Sequence, residues 1–274
     1  MKDFAGKVAV VTGGGSGIGR ALAHAFADRG MKIALADVER SALDTVAEEL
    51  RGGGTEVLSC VVDVADRQQL GAFADQVYAT LGGAHVLCNN AGVGTGGPMS
   101  EITLEAWDWV LDVNLKAVVS GIHFFLPRMI ASDEPCHIVN TASIAGLMCG
   151  PYMGPYNASK YAVVAISETL AIELAETKVG VSVLCPAWVD TKIAESERNA
   201  PAGIAAAGAT GADPELRQQI DELLRTGMKP EVIAARVVET IEAEQLYILT
   251  HAEFTPILEE RFRTIMAAAP PATP

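Results

Sequence analysis

What this chain lacks narrows its chemistry before any motif is read. Lysine and arginine number 20 against 34 aspartates and glutamates, a formal charge of −14. A basic surface for nucleic acid or for anionic lipid headgroups is therefore not expected. No apolar run approaches the ~20 residues that a membrane-spanning helix needs. The start, MKDFAGKVAVVTGGG, has too short an apolar run before its glycines for a signal peptide. Five cysteines, an odd number with no C-x-x-C, fit neither a zinc site nor a disulfide framework. Cys60, Cys88 and Cys185 lie in apolar runs and read as core packing, whereas Cys149 lies in a loop. The histidines at 24, 85, 123, 137 and 251 form no ligand-spaced pair, so no metal site is expected. The glycine stretch at 13–19 does not follow the strict G-x-G-x-x-G spacing.

Half of the 274 residues are hydrophobic, enough to bury a full core, and the length suits one large domain. Lys7–Thr12 (KVAVVT) is short, apolar and β-branched, as expected of a strand inside a parallel sheet. Gly13-Gly14-Gly15-Ser16-Gly17-Ile18-Gly19 follows, and Ile18, Ala21, Leu22, Ala25 and Phe26 then recur at helical spacing. Bare backbone between a strand and a helix start lets N–H groups reach a pyrophosphate, and the helix dipole adds to the attraction. An ordinary glycine-rich turn would look the same until the next strand is read. That strand, Lys32–Asp37 (KIALAD), ends in an acid, which suits ribose hydroxyls and repels a 2′-phosphate. Asp37, with Val38 beside it, points to NAD, while Arg40 is near enough to keep NADP open.

Ser41–Leu50 reads as a helix, Val57–Val62 as a strand, Arg67–Leu81 as a helix and His85–Asn89 as a strand. Such alternation implies right-handed crossovers and an α/β, doubly wound parallel sheet. Two strand ends are polar, Asp63-Val64 and Asn89-Asn90-Ala91-Gly92. Ligands bind at strand carboxyl ends in such sheets, although Asp63 reads equally well as a helix cap. Trp107–Met129 is a long helix, apolar nearly all round, inside which Asn114 has to find polar partners. With the similarly apolar Tyr161–Leu174 it suggests a subunit interface, or else deep burial within one subunit.

After the strand His137–Thr141 the chain reads NTASIAGLMCGPYMGPYNASK from Asn140 to Lys160. If Gly154-Pro155 opens a helix, Tyr156 and Lys160 project from one face, a turn apart. A phenol of pKa ~10 is a poor acid–base catalyst near neutrality unless a cation stabilises its phenolate. Lys160 is the candidate cation. Tyr-x-x-x-Lys alone is common on solvated helix faces; the glycine-rich stretch upstream gives it meaning.

Val181–Cys185 is a further strand. From Pro186 to Thr226 small residues, glycines and charges mark a long excursion, read as a substrate lid over about 187–227 or as a surface insert. Asn199–Ala212 is expected to be mobile. Lys229-Pro230-Glu231 starts a helix, Gln245–Leu249 is a last strand and Phe254–Met266 a short helix. The tail from about 267 to 274 is expected to fray.

In this order the motifs resemble the short-chain dehydrogenase/reductase family over nearly the whole chain. They are TGGGSGIG at 12–19, Asp63, NNAG at 89–92, Asn114, Ser143, YNASK at 156–160, and Pro186 with Thr191. The spacing Gly13-x-x-x-Gly17-x-Gly19 is that of the family, while Ala187 departs from it, since glycine usually follows the proline there. The resemblance implies a single Rossmann-type domain in the cytoplasm, assembled as a homotetramer or homodimer. It implies hydride transfer between NAD(H) and a secondary alcohol or ketone. Tyr156 is then the acid–base catalyst, Lys160 lowers its pKa and holds the ribose, and Ser143 hydrogen-bonds the substrate oxygen. Asn114, at a local break in its helix, positions a water that links Lys160 to solvent. The cofactor is expected on Gly13, Ser16, Gly17, Ile18, Gly19, Asp37, Val38, Asp63, Val64, Asn90, Ala91, Gly92 and Pro186, with Val189 and Thr191 at its carboxamide.

Ser143, Ile144, Met148, Cys149, Met153 and Trp188, with Gly94–Gly97, are expected to line an apolar pocket. NTASIAGL and VSVLCP are similar to bacterial dehydrogenases and ketoreductases that act on bulky secondary alcohols, aryl ones included. The alternatives are an NADP-dependent carbonyl reductase and an NAD(H)-binding regulatory or scaffold protein with little turnover. Enoyl reduction fits less well, because those relatives space tyrosine and lysine more widely.

Overall fold

A computed structural model describes residues 1–201, 204 and 214–270, with the backbone alone at 214–217. The strands are β1 (Val8–Thr12), β2 (Lys32–Asp37), β3 (Val57–Val61), β4 (Val86–Asn89), β5 (Cys136–Thr141), β6 (Val179–Cys185) and β7 (Tyr247–Leu249). They form one parallel sheet in the order β3-β2-β1-β4-β5-β6-β7. Parallel neighbours need helical crossovers, supplied by α1 (Gly17–Ala27), α2 (Arg40–Gly52), α3 (Arg67–Leu81), α4 (Leu104–Leu111), α5 (Ala117–Ala131), α6 (Gly154–Glu173) and α8 (Pro230–Ala243). Helix α7 (Pro214–Arg225) lies in the excursion before α8, and α9 (Thr255–Ala267) follows the sheet.

Strand side chains alternate between two layers, because successive Cβ atoms point to opposite faces. Val8 and Val10 join the core of Phe73, Phe125 and Leu170 on one face. Ala9 and Val11 join that of Leu22, Phe26, Val46 and Val237 on the other. Both faces of β1 are therefore apolar, as its sequence requires. Strand β1 pairs with both β2 and β4. The chain thus winds in opposite directions from this point, and the carboxyl ends there part into a crevice.

The long apolar helix of the sequence is α4 and α5 joined by a π-helical turn, Asp112–Lys116. Leu104–Ala131 is long and apolar enough to cross a membrane by length and composition, at mean hydropathy 1.3, yet half of it is buried inside the fold. Phe125 of α5 is fully buried, its ring centroid 6.4 Å from that of Phe73 on α3. It is a core helix here.

The excursion after β6 has a pinned base. Val189 bridges Met228, Met228 donates to the Trp188 carbonyl at 2.9 Å, and Asp190 donates back to the Met228 carbonyl at 3.0 Å. A Cβ at Gly227 would lie 2.6 Å from the Trp188 oxygen, so glycine permits this close approach. Between the two limbs stand a 3₁₀ turn, Ile193–Asn199, and helix α7. The expected mobile stretch Asn199–Ala212 falls largely outside the described residues, as does the tail beyond Pro270.

Candidate active site

A cleft of about 540 Å³ opens where the sheet parts. Its floor is held by Thr12 at the end of β1. The Thr12 hydroxyl accepts the N–H groups of Asn90 at 2.9 Å and Ala91 at 3.1 Å, while Asn90 Nδ2 donates to the Thr12 carbonyl at 3.0 Å. One β-branched strand residue thus fixes the turn after β4. Gly13 and Gly17 adopt φ of +66° and +49°, and a Cβ at Gly13 would sit 2.9 Å from the Ala91 Cα. At Gly19 a Cβ would overlap the Gly13 carbonyl, so this glycine lets α1 start close against the strand end. Ser16 precedes α1 in extended conformation and makes no side-chain cap bond. Bare backbone, a helix N-terminus and a hydroxyl therefore converge at the crevice, which fits a pyrophosphate.

At the end of β2 the Asp37 carboxylate accepts Gly15 N–H at 2.8 Å and Glu39 N–H at 2.9 Å, one on each oxygen. Both bonds orient it toward the cleft wall, where it stands with Val38 and Glu39. Each oxygen keeps acceptor capacity suited to the two hydroxyls of a ribose. Asp63 and Val64 line the same end; Asp63 accepts Ala65 N–H at 2.9 Å and so shapes its own turn as well.

At the other end Ser143, Tyr156 and Lys160 come together. Tyr156 and Lys160 share one face of α6, with Lys160 Nζ 5.5 Å from the phenol ring centroid. Lys160 is 4 % exposed and donates to the Thr141 carbonyl at 2.9 Å. Burial lowers its pKa to about 8. Burial also raises the Tyr156 phenol above its ordinary value, opposed by a hydrogen bond from Ser143. The Ser143 hydroxyl is itself held near the Pro186 carbonyl, at 3.3 Å. Two partly desolvated titrating groups side by side in a cleft have the electrostatics of acid–base chemistry.

Asn114 stands behind this wall, in the π-helical turn. Its Oδ1 accepts Val93 N–H at 2.8 Å, and its Nδ2 donates to the Val93 carbonyl at 2.9 Å and to the Ser159 hydroxyl at 3.2 Å. An amide inserted into a wide turn thus anchors the loop after β4 to the tyrosine helix. Gly92 leaves the space between them: a Cβ there would lie 3.4 Å from Asn114 Oδ1 and 3.5 Å from Lys160 Nζ.

The structure places Gly13, Ser16, Gly17, Ile18, Asn90, Ala91, Gly92, Pro186, Val189 and Thr191 on the cleft wall. Gly19 and Asn114 support it from behind. Of the expected pocket residues Ser143 lines this cleft, while Ile144, Met148, Cys149, Met153 and Trp188 lie beyond its lining residues. Ile144 opens the 3₁₀ turn Ile144–Gly146 and donates its N–H to the Pro186 carbonyl at 2.8 Å. That turn carries the chain outside, where the Tyr152 carbonyl accepts Gly97 N–H at 2.8 Å and Cys149 is exposed. Trp188 belongs to the pinned base of the excursion. Of the stretch 94–97, Gly94 meets the excursion through its N–H to Ser196 Oγ, 3.0 Å.

Sequence reading placed Ser196, Arg198, Asn199 and Ile204 within the expected lid without singling out any of them, because nothing in that stretch signals which residues fold inward to the far wall. It missed His251, whose Nδ1 accepts Ala187 N–H at 3.3 Å and whose Nε2 lies 3.0 Å from the Trp188 carbonyl. Its signal would have been a pair of polar residues, Thr250 and His251, just after the last strand. Thr12 was quoted within a motif without a role.

Comparison with known proteins agrees with this geometry. The family model for short chain dehydrogenase matches residues 7–202. A C alpha-dehydrogenase from Sphingobium sp. strain SYK-6 is 36% identical over 272 residues, covering 99% of this chain and 89% of that protein. A CLA biosynthesis dehydrogenase/reductase from Lactiplantibacillus plantarum is 33% identical, covering 99% of this chain and 97% of that one. Among solved structures, a short-chain dehydrogenase/reductase from Burkholderia phymatum in complex with NAD superposes with TM-score 0.92 at 41% identity, covering 100% and 99% of the two chains. With a parallel Rossmann-type sheet, a glycine-lined crevice and this breadth of similarity, the chain is an oxidoreductase that belongs to the short-chain dehydrogenase/reductase family.

Proposed function

We propose that this protein moves a hydride between NAD(H) and a secondary alcohol or its ketone, with a bulky, apolar or aromatic substrate. The observation that carries the reading is the pairing of the Ser143–Tyr156–Lys160 cluster with the Asp37 carboxylate at opposite ends of one cleft. The glycine turn and the α1 N-terminus would hold the pyrophosphate, Asp37 the adenosine ribose, and Val189 and Thr191 the carboxamide. When bound, the nicotinamide supplies or accepts the hydride.

The chain's own residues handle the proton. Ser143 donates to the substrate oxygen and sets it beside the phenol. In reduction Tyr156 gives that oxygen its proton, and in oxidation it takes the proton back. The Lys160 ammonium, held by the Thr141 carbonyl, favours the phenolate that remains and binds the ribose hydroxyls. Asn114 holds the Val93 loop and α6 in register and positions the water that refills the proton.

Asp37, Glu39 and Asp63 put carboxylates on the wall where β2 and β3 end, and Asp108 and Asp112 line it from the crossover after β4. They disfavour a 2′-phosphate, which supports NAD, and they disfavour an anionic substrate. Val93, Trp109, Ile193, Ile204 and Leu224 add apolar wall, which suits a bulky hydrophobic group. The segment over 187–227 serves as the lid of this single domain. We place the protein in the cytoplasm as a homotetramer or homodimer, with Val119 on α5 and Ile172 on α6 as exposed apolar residues that a partner copy would cover. Native mass measurement checks this, and a monomer would exclude it.

The deciding assay follows nicotinamide absorbance with secondary alcohols and ketones, supplying NAD(H) and NADP(H) in parallel. Turnover with NAD(H) that vanishes in Tyr156→Phe supports the proposal. NADH binding with no turnover across the panel would favour a regulatory NAD(H)-binding protein instead.

A further inference from the structure

The excursion is tied across the cleft mouth to the loop that follows β2. Arg198, in the 3₁₀ turn Ile193–Asn199, directs Nε and Nη2 to Glu39 Oε1, each at 2.8 Å. Asn199 Nδ2 donates to the same oxygen at 2.8 Å. The remaining Arg198 edge is held within its own turn: Nη1 donates to the Lys192 carbonyl at 3.0 Å and the Glu195 carbonyl at 2.8 Å. The guanidinium is therefore fixed from behind by backbone and offers its Nε/Nη2 fork forward. Glu39 receives that fork. Its side chain is 31 % exposed and that of Arg198 32 %, so the pair contributes little to stability.

What the pair does follows from its place. Glu39 stands two residues beyond Asp37 and donates its N–H to that carboxylate at 2.9 Å. The fork thus lies at the ribose end of the cleft, where NAD carries a hydroxyl and NADP a phosphate. A fork of two parallel N–H groups on a fixed guanidinium matches phosphate oxygens as well as it matches a carboxylate. Among the described residues the cations on the cleft wall are Lys160, Lys192 and Arg198. Lys160 lies at the tyrosine end, Arg198 is engaged by Glu39, and the charge of Lys192 acts on the same Glu39 carboxylate.

We propose that Glu39 is a selectivity residue that acts through Arg198: by occupying a phosphate-ready fork, it keeps the 2′-phosphate of NADP(H) from being bound. Asp37 repels the phosphate directly, and Glu39 removes the cation that would compensate. This rests on the NAD reading above.

The test is direct binding of NADH and NADPH, followed by reduced-nicotinamide fluorescence, in wild type, Glu39→Gln, Arg198→Met and the double variant. Glu39 precedes α2 and makes no side-chain cap bond, so the glutamine removes no helix cap. Glu39→Thr serves as a second replacement should the glutamine fold poorly. Expected is an NADPH affinity about tenfold higher in Glu39→Gln, with NADH altered by less than about threefold. The gain disappears when Arg198→Met is added, and Arg198→Met alone leaves NADPH weak. An unchanged NADPH affinity in Glu39→Gln overturns the proposal. So does a gain that persists in the double variant, which would mark simple loss of a negative charge. A wild type that binds NADPH as tightly as NADH instead removes the NAD reading beneath it, whatever the variants do.

Discussion

At the amino ends of the strands, His137 of β5 is 1 % exposed, its Nε2 2.8 Å from the Ser182 hydroxyl on β6. At the carboxyl ends Lys160 is 4 % exposed, bonded to the Thr141 carbonyl of the same strand β5. Burial depresses both groups, the histidine to about 3 and the lysine to about 8. Their surroundings differ. Packed strands enclose His137, and its Nδ1 has no hydrogen-bond partner among the described residues. Lys160 faces a cleft in which a phenol, a hydroxyl and bare backbone converge. A perturbed pKa therefore does not identify a site; what identifies it is an opening where other groups can meet a ligand. In a parallel sheet the opening lies at the carboxyl ends, where crossovers part around the switch point.

The contrast can be tested from its strongest side downward. Tyr156→Phe should reduce turnover about 10³–10⁴-fold while NADH still binds. Turnover within tenfold of wild type would remove the tyrosine from the chemistry. Lys160→Met should lower turnover about 10²–10³-fold, since it deletes the cation that favours the phenolate. In the reduction direction the wild-type kcat/KM should also fall as pH rises through about 8, where Lys160 loses its proton. A profile flat from pH 7 to 9 would contradict that assignment.

Asp37→Ala should cut the preference for NADH over NADPH about 10–100-fold, measured as a ratio of dissociation constants. An unaltered ratio would place 2′ discrimination elsewhere. His137→Gln should leave turnover within about twofold, yet change the acid limb of stability. The folded histidine stays neutral down to about pH 3, while the unfolded one protonates below about 6.5. The unfolded chain then holds more protons in that window, so wild-type stability is lost as pH falls from 6.5 toward 3. Glutamine cannot titrate, and acid unfolding followed by circular dichroism should move to lower pH. Superimposable acid transitions would show that His137 is not the group responsible.

Much of the site was legible because its parts are local. TGGGSGIG must leave a strand and enter a helix, Asp37 must end β2, and Tyr156 and Lys160 must share a face of α6 once Gly154 opens it. Asn114 was conspicuous as an amide within an apolar run, and it pairs with Val93 and Ser159. The far wall was not legible. Arg198 and Asn199 meet Glu39 across more than 150 residues, and no periodicity specifies such a pairing.

By itself, then, the order of residues determined the alternation of strands and helices, the parallel sheet and the tyrosine–lysine face. These depend on side-chain period, on glycine's freedom and on proline at a helix start, all acting over a few residues. Tertiary structure alone decided which residues close the cleft, how Asn114 links a loop to α6, and that Glu39 holds Arg198. Those contacts join segments far apart in the chain, and they form only where folding brings an acceptor within about 3 Å of a donor.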